Sequence, residues 1–154
     1  MTELKIIDAH HHLWAPQSDP LDVGYVWLKD IGAPKPFGDP TPIQRDYLLE
    51  EFLAESPLVG SVHLQCDPMI PDPVVETAFV QGLSDASGHP LMSVGFGDLT
   101  RDDFADTLAR HQAYPNFRGI RQILSFLPGR PQISFAAGQL LDDPTWRANF
   151  ALLG

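Results

Sequence analysis

A chain of 154 residues, 44% hydrophobic and 19% charged, is long enough to bury one sizeable core and too apolar to remain disordered. Its formal net charge of -10, with ten Lys and Arg residues scattered rather than clustered, argues against a nucleic-acid partner. No stretch approaches the roughly 20 apolar residues that span a bilayer, the N-terminus lacks a signal-peptide run, and a lone Cys66 fits a reducing compartment, so a cytoplasmic protein without a membrane partner is expected.

The first predicted strand, residues 5–10, runs apolar into Asp8-Ala9-His10-His11-His12-Leu13-Trp14, the pattern of a strand buried on both faces with polar groups at its C-terminal end. In extended chain the side chains alternate, which puts His10 and His12 on one side with Asp8 behind them and turns His11 away into packing. Two imidazoles one residue apart can hold the same metal ion, so His10 and His12 are candidate ligands. Asp8 is either a catalytic carboxylate or a group that orients the motif, and Trp14 is a packing wall or a substrate-lining ring.

Residues 15–42, rich in Pro, Gly and Asp, read as a long loop on the active-site side. Residues 47–54 follow as a helix, with Leu48, Leu49, Phe52 and Leu53 on one face and Pro57 beyond its end. A second strand spans residues 58–66, where His63 reads as a hydrogen-bonded core histidine, Gln65 as a substrate contact at the strand end and Cys66 as a small buried hydrophobe. Asp72-Pro73 then opens a helix that closes at Gly88, with Glu76 favourably placed in its positive first turn. Leu91 to Phe96 is a third strand, and Thr100 with Asp103 resembles a capping box before the helix carrying Phe104, Leu108 and His111. A fourth strand over residues 117–124 places Arg121 and Gln122 near its end, and Asp143-Pro144 opens a last helix through Trp146 and Phe150.

Four strand, loop and helix repeats predict an α/β fold, a parallel sheet with helices on its faces. Right-handed crossovers bring every strand end to one rim, which would gather His10, His12, Gln65 and Arg121. No Gly-rich nucleotide loop follows any strand.

Five segments in this order resemble the amidohydrolase superfamily: Ile7 to Trp14, Tyr25-Val26-Trp27-Leu28, Val62-His63-Leu64-Gln65, Glu76-Thr77-Ala78 and Arg118-Gly119-Ile120-Arg121-Gln122. More narrowly they resemble its amidohydrolase-2 group of TIM-barrel metal-dependent hydrolases, which includes sugar lactonases and muconolactone-type or pyrone-dicarboxylate lactonases. The resemblance covers essentially the whole chain. It implies that His10 and His12 ligate a divalent metal, zinc or manganese, that Arg121 faces a substrate carboxylate, and that the reaction is hydrolysis of a lactone or related cyclic ester. Within the group some lactonases keep the His-x-His and work without metal, and some members of the wider group are decarboxylases. A non-catalytic binding or assembly module is the alternative from another class.

The resemblance also implies a later His and a late Asp that this chain lacks. A full eight-stranded barrel takes about 250 residues. Residues 1–154 therefore read as the N-terminal half of a (β/α)8 barrel, about four of its eight units, and as inactive alone. Such a half exposes the outer edges of its first and fourth strands, so its expected partners are a small-molecule substrate and either a C-terminal half or another copy of itself.

Overall fold

The computed structural model describes residues 4–20, 25, 28, 38–55, 57–66 and 70–154. Strands β1 (Ile6–His11), β2 (Leu58–Leu64), β3 (Leu91–Phe96) and β4 (Phe117–Arg121) make one parallel sheet in the order β1-β2-β3-β4. Helices α1 (Leu49–Glu55), α2 (Val74–Ser87), α3 (Phe104–Gln112) and α4 (Pro144–Phe150) follow the strands in turn. The α/β expectation is met by four β/α units side by side. Most of the predicted 15–42 loop lies outside the described residues, as do Val26 and Trp27; Tyr25 and Leu28 are buried. Among the described residues no helix is long and apolar enough to cross a membrane.

Local sequence explains the helix boundaries. Asp72 accepts the Val74 N–H at 3.1 Å, and Gly88 ends α2 in the left-handed region (φ 71°), its N–H donating to Ser84 O at 2.9 Å. Asp143 caps α4 by accepting the Trp146 N–H at 2.9 Å, with Pro144 at the first helical position. The capping box predicted for α3 does not form. Asp98, two residues before Thr100, accepts both its N–H (3.0 Å) and its hydroxyl (2.7 Å), while Asp103 pairs with Arg101 at 2.7 Å. The nearer Asx turn takes the Thr100 N–H that the box would have given to Asp103, and it turns the Thr100 hydroxyl toward Asp98.

Helix-side packing forms two clusters. Leu13, Leu49, Phe52, Val80 and Leu91 meet under α1 and α2; Leu99, Phe104, Leu108 and Trp146 meet under α3 and α4. In β2 and β3, burial alternates as a pleated strand requires: Ser61, His63, Leu91, Ser93 and Gly95 are buried, and Val62, Leu64, Met92, Val94 and Phe96 are only half-buried. The expectation that β1 is buried on both faces is corrected. Ile7 is 66% exposed, and only His11 of this strand is buried, because β1 pairs with β2 alone and forms an edge. The fourth strand also stops at Arg121, three residues short of the predicted end. Gln122 leaves the ladder there, accepting the Leu99 N–H (3.3 Å) and Trp146 Nε1–H (2.8 Å) and donating to Asp98 (3.0 Å).

Candidate metal and substrate site

The C-terminal end of β1 brings the His10 and His12 imidazoles together, with their Nε2 atoms 3.3 Å apart and their rings edge to face at 75°. His12 Nδ1 lies 2.8 Å from Leu64 O. A carbonyl only accepts, so His12 carries its proton on Nδ1 and leaves an Nε2 lone pair directed at His10. Burial, set against that hydrogen bond and reinforced by the charges of His63, His10 and Arg121, lowers the His12 pKa below its ordinary value and keeps the ring neutral near pH 7.

Two facing nitrogens at this distance need a cation or a proton between them. Two imidazoles on one tetrahedral zinc, each at about 2.0–2.1 Å, stand about 3.3–3.4 Å apart, so the pair fits a shared divalent ion. The donor of His12 to Leu64 O is the outer hydrogen bond by which ligating histidines are held in one tautomer. Among the described residues no group of three or more His, Cys, Asp and Glu side chains is placed to hold a metal ion. By itself the pair offers two nitrogens, fewer than the three or four protein ligands of a zinc site.

Arg121 ends β4 on the same rim. Its Nη1 donates to Gln65 O at 3.3 Å, and its positive charge reaches His12. The remaining predicted residues are placed differently. Gln65 is 1% exposed and in phase with Ser61 and His63, so it gives the rim its backbone carbonyl while its amide is buried without a hydrogen-bond partner among the described residues. Trp14 is committed to structure: its Nε1–H donates to Ile43 O at 2.9 Å and its ring packs on Tyr47 at 5.2 Å.

Asp8 accepts the His10 backbone N–H at 2.8 Å. The simple alternation expected for it is broken by an irregularity between Asp8 and His11: Asp8 lies opposite Ser61 and His11 opposite His63, which share one face of β2. Its charge accordingly acts on His11. Asp8 shapes the strand end, and it makes no hydrogen bond to either imidazole of the pair.

His11 packs as expected, stacked on Phe52 with ring centres 4.1 Å apart. Desolvation first, then the neighbouring His63, pushes its pKa down to about 4. Sequence reasoning missed the role of Glu76. This residue does sit in the first turn of α2, but it is also a buried partner of His63 and of the Cys66 N–H. The available signal was a core histidine on β2 that required a buried acceptor on the next helix. A separate cavity of about 450 Å³, lined by Asp72, Phe96, Asp98, Arg101, Thr107 and Arg110 among others, does not include the histidine pair. Its two arginines are already ion-paired, with Asp103 and Asp72.

No family model matches the chain. It is 37% identical over 153 residues to an uncharacterized protein of Sinorhizobium fredii, covering 97% of this chain and 50% of the other. The chain thus spans about half the length of the curated relative that it matches. Among solved structures it is similar to an amidohydrolase from Burkholderia multivorans with bound zinc (TM-score 0.63, 23% identity) and to the same protein with bound HEPES (TM-score 0.60, 22% identity). Each match covers 97% of this chain and 45% of the other. The fold is therefore a run of parallel β/α units that matches a fragment of that Burkholderia protein.

Proposed function

We propose that this chain forms the first four β/α units of a hydrolase barrel of the amidohydrolase kind, acting with a divalent metal on a lactone or related cyclic ester that carries a carboxylate. The reading rests on one observation: His10 and His12 present Nε2 atoms 3.3 Å apart, with the His12 tautomer set by Leu64 O. The zinc described with the Burkholderia protein supports a divalent metal. Bound at this pair, such an ion, zinc or manganese, would polarise the ester carbonyl and acidify a water molecule.

The chain's own residues then have distinct tasks. His12 offers a fixed lone pair, and His10 a more exposed one. Arg121, a planar fork of donors at the same rim, binds the substrate carboxylate in a two-pronged ion pair. Asp8 is engaged by the His10 amide, so the base for ring opening and the remaining ligands come from the rest of the barrel. Either a C-terminal half or another copy of this chain closes it.

The test is metal analysis and a lactone panel on the full-length protein. One zinc or manganese per barrel, with lactone hydrolysis lost on chelation and in His10→Ala, supports the reading. A full-length protein that neither retains a metal nor opens any lactone refutes it.

A further inference from the structure

The histidine pair depends on a strand end, and that strand end is held by two side chains away from the rim. His63 on β2 accepts the Leu13 N–H at its Nδ1 (3.2 Å), which places its own proton on Nε2. That Nε2–H donates to Glu76 Oε1 at 2.9 Å, and the same oxygen accepts the Cys66 N–H at 2.6 Å. Leu64, whose carbonyl receives the His12 Nδ1–H, lies between His63 and Cys66. Leu13 directly follows His12. One carboxylate oxygen on α2 therefore grips both flanks of the acceptor and, through His63, the residue next to the donor.

Stability alone does not account for this arrangement. Glu76 is 5% exposed, and its second oxygen has no hydrogen-bond partner among the described residues. Burying a carboxylate costs several kcal/mol, and an apolar residue of the same shape is commonly as good for the fold or better. What an apolar residue cannot do is fix the position of a carbonyl by taking hydrogen bonds on both sides of it.

We infer that His63 and Glu76 are positioning residues for the His10–His12 pair. They act through Leu13 and Leu64 to hold His12 as the Nδ1–H tautomer, with its Nε2 lone pair turned to His10. The consequence for metal binding rests on the function proposed above; the consequence for the His12 tautomer does not. Loss of outer partners of this kind costs 10- to 100-fold in metal affinity.

Glu76→Met keeps the length and bulk of the side chain and removes the acceptor, whereas Glu76→Gln keeps an oxygen in place. Imidazole nitrogen shifts of the metal-free chain report the His12 tautomer, and zinc titration of the full-length protein reports affinity. The parent should show a single Nδ1–H form of His12. E76M should mix tautomers and weaken zinc binding by about 10- to 100-fold, and E76Q should restore both toward the parent. If E76M does not fold, His63→Gln, which keeps a donor toward Glu76 and loses the acceptor for Leu13, is read in the same way. A folded E76M or H63Q with His12 unchanged overturns the inference. If the full-length parent takes up no zinc, the proposed function fails, and the tautomer measurement alone decides this one.

Discussion

Adding one methyl group at Gly95 should damage the fold far more than its size implies. A Cβ built there would sit 2.8 Å from His111 Cε1, 2.9 Å from Thr77 Oγ1 and 3.0 Å from His111 Nδ1. Ordinary contacts lie at about 3.5–4.0 Å, so the intrusion is about 0.5 Å or more on several atoms together. Neither neighbour can yield easily. His111 is fully buried, bonds Phe96 O through Nε2 (3.0 Å) and Thr77 through Nδ1 (2.9 Å), and stacks on Phe117 at 5.0 Å. Overpacking costs about 1–3 kcal/mol, and breaking one of these buried hydrogen bonds adds a similar amount. We expect Gly95→Ala to destabilise by about 3 kcal/mol, a fall in Tm of about 6–12 °C for a chain of this size. Thermal and urea unfolding followed by circular dichroism measure it. Gly82→Ala is the control: that helical glycine has nothing within 4 Å of its Cβ position, and alanine there should stabilise by about 0.5–1 kcal/mol. A G95A protein within about 0.5 kcal/mol of the parent would refute the packing argument.

Acid should weaken the fold through its buried histidines. His11 is held at about 4 against 6.5 when unfolded, and burial lowers His111 as well, so the unfolded chain takes up protons that the native one refuses. The stability present above pH 6.5 is lost as pH falls from about 6.5 toward 4, by up to about 3 kcal/mol for His11. His11→Phe, which keeps the stack on Phe52, should flatten that acid limb in urea titrations at several pH values; an unchanged limb contradicts the assignment. Exposed Ile7 on the β1 edge should drive association of the chain alone, so light scattering should give more than a monomer, and Ile7→Lys should reduce it. A clean, cooperatively melting monomer of the parent would contradict this. In the full-length protein, Arg121→Gln should raise KM for a carboxylate-bearing lactone by about tenfold or more while leaving kcat less affected; equal KM values would remove Arg121 from substrate binding.

The β/α order was legible because strand runs and helical stripes differ in period, and the caps at Asp72-Pro73, Gly88 and Asp143-Pro144 act within a few residues. The nearness of His10 and His12 was legible because residues one apart at a strand end stay close; the orientation of the His12 ring, set by Leu64 O on β2, was not. The parts that escaped depend on longer-range geometry. Phase carried Asp8 onto the His10 side until an irregularity in the β1–β2 register moved it off. Gln65 has the residue type of a substrate contact, but the phase it shares with His63 buries it. Glu76 looked like a helix-start acid because its partners, His63 and the Cys66 amide, are separated from it by a loop. Thr100 and Asp103 matched a capping motif, but a nearer Asp98 takes both the Thr100 N–H and its hydroxyl.

The register of β1 against β2 has one more implication, for changes in chain length. Two irregularities, one between Ile6 and Ile7 and one between Asp8 and His11, offset each other, so that the strand ends in step with His63. Three successive histidines look interchangeable as composition, yet the register gives each a separate address. Deleting or inserting a single residue between Ile6 and His11 would rotate the run, sending His11 to the rim and turning its neighbours against Phe52. Such a variant would retain every histidine in its sequence and lose the pair in space. When homologues are aligned, a one-residue gap inside this strand is therefore a stronger sign of lost chemistry than the substitution of any one of the three.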